Sequence, residues 1–84
     1  MTTAIVLIPV DYLNSFELAK KIQGQTYKTT TALRIHLAME LSLGNGNKDA
    51  GHDIVIYNLE DFTQAMNMEE VNNEDTFMAY VNFE

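Results

Sequence analysis

The chain has no cysteine and no tryptophan, one proline, four glycines and only five cationic side chains in 84 residues. Without cysteine there is no disulfide to staple a small fold, no thiolate metal site and no thiol nucleophile. Linkers rich in proline or glycine and low-complexity tracts are also missing, so residues 1–84 are read as a single domain. No apolar stretch approaches the roughly 20 residues that span a bilayer. The apolar run at residues 4–10 lacks a preceding Lys or Arg, so it is a poor secretion signal. A membrane role is not expected, and the expected location is the cytoplasm.

The few cations are unevenly placed. Lys20, Lys21, Lys28, Arg34 and Lys48 share residues 1–48 with three acids, while residues 49–84 hold nine carboxylates and no Lys or Arg. The two parts carry formal charges of +2 and −9 within a total of −7. Five cations offset by so acidic a remainder do not make a phosphate-binding face, and direct nucleic-acid binding is not expected. The acidic part is interleaved with Phe62, Met66, Val71, Phe77, Tyr80, Val81 and Phe83. It therefore reads as the outside of folded structure and not as a solvating tail.

What is present is the composition of a folded domain, 46% apolar and 20% charged. A domain this short buries only about 60–65% of its unfolded surface, so its stability margin is thin. With disulfides excluded, association is the remaining aid, as a homo-oligomer or a hetero-complex.

Residues 4–10 (AIVLIPV) are apolar on both alternating faces, which suits a central strand covered on both sides. Pro9 should end regular pairing on one side. Asn14 is a candidate N-cap with Glu17 as capping-box partner, for a helix reaching about residue 23 and stopping at Gly24. A second helix starts in the threonines at 29–31 and runs to about residue 43. It carries two apolar stripes: Leu33, Leu37 and Leu41 on one side, and Ala32, Ile35, Met39 and Leu43 on the other. Such a helix needs cover on two sides. Residues 53–59 form a second strand, and Asn58 can cap a helix over 60–67 whose buried stripe is Phe62, Ala65 and Met66. Residues 76–83 alternate as a third strand.

The expected fold class is α/β, with α+β as the alternative: a three-stranded sheet with three helices in the order β-α-α-β-α-β. The long first crossover implies that strands one and two are parallel. The direction of the third strand is open. If both early helices cover one face, only the short third helix is left for the other, and two sheet edges stay available to another chain.

Motifs for chemistry are weak. The stretch at 44–51 (GNGNKDAG) has neither phosphate-loop spacing nor a following helix. It resembles a calcium loop only in Asn45, Asn47 and Asp49, with Ala50 and Ile56 where Gly and Glu are required. His36 and Glu40 are i,i+4 neighbours, but a metal would need His52 or Asp53 as well. Ser15 and Ser42 lie at helix ends, without a nucleophile elbow. No catalytic residue, metal site or cofactor is assigned, and enzymatic activity is not expected.

Two binding surfaces remain. The first is acidic, Glu60, Asp61, Glu69, Glu70, Glu74 and Asp75, suited to a protein partner with a basic surface. It fits an inhibitor or regulatory accessory protein of the sort that phages and mobile elements encode, with imitation of nucleic acid as a stricter variant. The alternative is a small-ligand sensor in a crevice lined by Asp11, Tyr12 and Asn58, at the carboxyl ends of parallel strands.

Overall fold

The computed structural model describes residues 2–45, 53–68 and 74–84. Seven elements follow one another: β1 (Thr2–Pro9), α1 (Ser15–Ile22), β2 (Thr26–Tyr27), α2 (Thr30–Asn45), β3 (Val55–Asn58), α3 (Leu59–Asn67) and β4 (Thr76–Phe83). The class is mixed α and β with three helices, as expected, but the sheet has four strands and not three, in the order β2-β4-β1-β3. The added strand is the two-residue β2, parallel to β4.

The expected parallel pairing of the first two long strands is overturned: β1 is antiparallel to both β3 and β4. The reason lies in the connection. It holds two helices, so the chain crosses the length of the sheet twice. Leaving β1 beyond Pro9, α1 descends to where Thr26 pairs with Asn82, level with Thr3 of β1. Through α2 the chain returns to the end where Val55 pairs with Leu7. An even number of passes reverses the strand. The single helix α3 then joins β3 to β4, which run the same way with β1 inserted between them, a split βαβ unit.

β1 is central and buried on both faces from Ala4 to Ile8, as its unbroken apolar run requires. Its pairing with β3 ends at Leu7, two residues before Pro9, while the β4 ladder continues to the Pro9–Thr76 pair. Ala4, Val6 and Ile8 point inward, where Leu18, Ala19 and Ile22 of α1, Leu33, Leu37 and Leu41 of α2, Ile54 just before β3, and Ala79 and Val81 of β4 complete the main core. Ile5 and Leu7 point outward, beneath α3 and its buried Ala65.

Local signals decide the ends of the elements. Asn14 precedes α1 as expected but makes no side-chain cap. Its amide donates across to the Glu40 carbonyl of α2 at 2.9 Å, tying the two helices together. Thr29 does cap α2, its hydroxyl accepting from Ala32 N at 3.0 Å. Asn58 caps α3, accepting from Asp61 N at 2.7 Å while its amide donates to the Asp61 carboxylate at 3.0 Å.

Gly24 ends α1 at φ +78°, a conformation L side chains rarely adopt. Its N–H donates to the Tyr80 carbonyl at 2.7 Å, and the Gln23 side chain accepts from Tyr80 N at 3.0 Å. Gln25 and Tyr27 carbonyls accept from Asn82 N and Glu84 N. One of the two expected open edges is thus covered over the second half of β4. Gly24→Ala is expected to lower the unfolding free energy by about 1–2 kcal/mol through left-handed strain. A urea-denaturation midpoint measures it.

Candidate functional site

Two regions hold side chains that demand an account: a polar cluster between α1, β2 and α2, and the outer face of the sheet. The cluster centres on Glu40. Lys21 Nζ donates to Glu40 Oε1 at 2.9 Å, His36 Nε2 lies 3.5 Å from the same oxygen, and Tyr27 Oη meets His36 Nδ1 at 2.8 Å. A neutral His36 satisfies both contacts with its proton on Nε2, accepting from Tyr27 at Nδ1. The sequence pointed to His36 and Glu40 as i,i+4 neighbours, but Tyr27 and Lys21 join them only through the fold.

Hydroxyl, imidazole and carboxylate in a row invite comparison with a nucleophilic triad. The electrostatics run the other way. Burial first, and the Glu40 carboxylate second, push the Tyr27 phenol above its ordinary value, whereas an activated nucleophile needs its value lowered. The arrangement is a clamp that fixes β2 and both inner helices. The hydrogen bond from Lys21, more than any other contact, holds the Glu40 carboxyl below its ordinary value. A depressed carboxyl stabilises the fold above its unfolded-state value, and that contribution disappears as pH falls through the lower folded-state value. Lys21→Met is therefore expected to destabilise at neutral pH and to converge on the parent protein in acid. Urea midpoints from pH 7 down to pH 3 test this.

Among the described residues, no three His, Cys, Asp or Glu side chains are grouped to hold a metal ion. His52, Asn47, Asp49 and Ala50 lie outside the described residues, as does most of the stretch considered for phosphate or calcium. No described helix is long and apolar enough to cross a membrane.

The proposed crevice loses its geometric basis. Asp11 and Tyr12 follow the carboxyl end of β1, but Asn58 pairs with Ala4 near the other end, because β3 is antiparallel. Tyr12 instead bonds to Asp53 at 2.5 Å. Asn58 sits beside Thr2, Thr3, Leu59 and Glu60 around an open cleft, and its side chain is engaged in capping.

The acidic residues are also divided by the register. Glu60 and Asp61 occupy the first turn of α3, next to the Ala4–Asn58 end of the sheet, where the helix dipole favours them. Glu74 and Asp75 lie exposed just before β4, at the Pro9–Thr76 end. Five residues of β1 separate these ends, about 17 Å. Glu69 and Glu70 lie outside the described residues.

Between the two acidic ends lies an apolar surface. Tyr57, Ile5 and Tyr80 form one cross-strand row on the outer face, and Val55, Leu7 and Met78 the next. The helix α3 packs over β3 and β1, with Phe62 against Tyr57 at a 6.0 Å ring separation. Ile5 and Leu7 are buried, but Met78 and Tyr80 on β4 remain 43% and 48% exposed, and Val55, in the row of Met78, is exposed as well. Around the free part of the β4 edge, Phe16, Ala19, Lys20, Gln23, Phe77 and Met78 line a shallow pocket of about 160 Å³.

The second stripe of α2 is open as well: Ile35 and Met39 are 56% and 60% exposed, and the Leu43 side chain lies outside the described residues. No family model matches this chain, and no curated protein and no solved structure matches it.

Proposed function

We propose that this chain is a small acidic protein-binding domain, acting as an inhibitor or regulatory accessory protein on a partner with a basic surface. The observation that supports it most is the outer sheet face: exposed Met78 and Tyr80 bounded by Glu74 and Asp75 at one end and by Glu60 and Asp61 at the other. An apolar centre with a charged rim is the general anatomy of a protein interface. Clustered apolar exposure of this sort marks contact sites more often than chance. The rim's charge selects a cationic partner and speeds encounter, while the apolar centre supplies most of the affinity.

The test is affinity capture from cells that make the protein, at about 50 mM and then 500 mM salt. The expected result is a specific partner held at low salt and weakened at high salt, as rim charges become screened. A partner captured equally by Glu60→Lys/Glu74→Lys would contradict the electrostatic part. Failure to recover any macromolecule at either salt concentration would contradict the reading as a whole.

A further inference from the structure

Among the described residues the outer face has one helix, and the width of the sheet indicates what would lie beside it. Four strands at about 4.8 Å spacing make a surface that two helices, each about 10 Å across, cover side by side. On the inner face this is realised by α1 and α2. On the outer face, among the described residues, the one helix is α3, and it lies over β3 and β1 because it must cross β1 to join β3 to β4. The lane over β4 is one helix wide. Met78 and Tyr80 form its floor.

Charge defines the ends of the same lane. Glu74 and Asp75 stand before Thr76, and Glu84 follows Phe83, all exposed. Glu60 and Asp61 of α3 lie near the Glu84 end. The eight residues of β4 extend about 26 Å, the length of roughly 17 helical residues.

We propose, resting on the protein-binding reading above, that the occupant of this lane is an amphipathic helix of the partner. It is four to five turns long, with one apolar stripe and Lys or Arg at both ends. It would lie beside α3 and complete the outer layer, a helix-in-groove mode of recognition. An added strand would pair at a sheet edge and leave Met78 and Tyr80 uncovered, so the sheet face selects a helix.

The test uses a synthetic 17-residue helical peptide with a Leu stripe containing one Trp and two Lys or Arg at each end. A control peptide has the same composition, with the Leu residues spread round the helix. The protein contains no Trp, so the fluorescence reports the peptide alone. The expected result is saturable binding with a blue shift and at least tenfold weaker binding of the control. A loss of at least tenfold is also expected with Met78→Thr/Tyr80→Thr, and no change with Ile35→Thr. Equal binding of the two peptides, or full affinity in the double variant, would overturn the proposal. So would a dimer of the protein alone, seen by light scattering and abolished by the double variant, because a second copy would then fill the lane. If the double variant loses a captured native partner while the striped peptide never binds, the helical occupant fails and the protein-binding reading stands.

Discussion

Leu37→Ala is expected to lower the unfolding free energy by about 2–5 kcal/mol, whereas Ile35→Ala, two residues away on the same helix, is expected to change it by less than about 0.5 kcal/mol. Both residues belong to apolar stripes of α2, and a helical projection treats them alike. Leu37 is buried among α1 and the inner face of the sheet, and its truncation leaves a cavity that the neighbours fill only in part. Ile35 is more than half exposed, and alanine is the better helix former. For 84 residues, total stability at roughly 0.05–0.15 kcal/mol per residue is about 4–13 kcal/mol. Leu37→Ala therefore removes a large share of it. Urea denaturation of the two variants under one buffer condition gives the comparison.

The second large effect is on binding. Met78→Thr/Tyr80→Thr is expected to weaken the native partner by about 2–4 kcal/mol, or roughly 30-fold to 1,000-fold, while the unfolding midpoint stays close to that of the parent. Threonine keeps a high strand propensity at both positions. The residues removed are about half exposed in the free chain, so folding loses little when their apolar area goes. A titration with the purified partner, alongside a thermal melt of each protein, separates affinity from stability. An unchanged affinity would remove the outer sheet face from the interface.

Several features of this fold are legible in the residues themselves. Residues 4–8 are apolar at every position, and the only place for such a strand is between two layers. The alternation over 76–83 sets β4 at the bounds the structure gives it. The two apolar stripes of α2 also follow from side-chain spacing, but only the Leu33, Leu37 and Leu41 stripe is covered, while Ile35 and Met39 stay exposed.

What the sequence hides is topological. A 45-residue connection, residues 10–54, suggests a crossover to a parallel strand, but the direction depends on how often the chain traverses the sheet. Two helices bring it back to the end it left, and β3 is antiparallel. That one reversal separates Asp11 and Tyr12 from Asn58, whereas the α3 crossover itself places the two described acidic pairs at opposite ends. The strand β2 is two residues long, too short for any periodicity. Its place depends on the carbonyls and side chain of residues 23–27 meeting the β4 backbone. Asn14 likewise reads as a cap from its neighbours in sequence, but its oxygen makes no cap bond and its amide donates instead to the Glu40 carbonyl of α2.

The described acids Glu60, Asp61, Glu74 and Asp75 stand at the two ends of an apolar face in this fold. The most direct test is an amide footprint of the protein in complex with its captured partner, by hydrogen exchange or NMR chemical shift. The account predicts protection and shifts along β4 around Met78 and Tyr80 and on the facing side of α3, with α2 unaffected. Protection centred on Ile35 and Met39 of α2, with β4 unchanged, would contradict it.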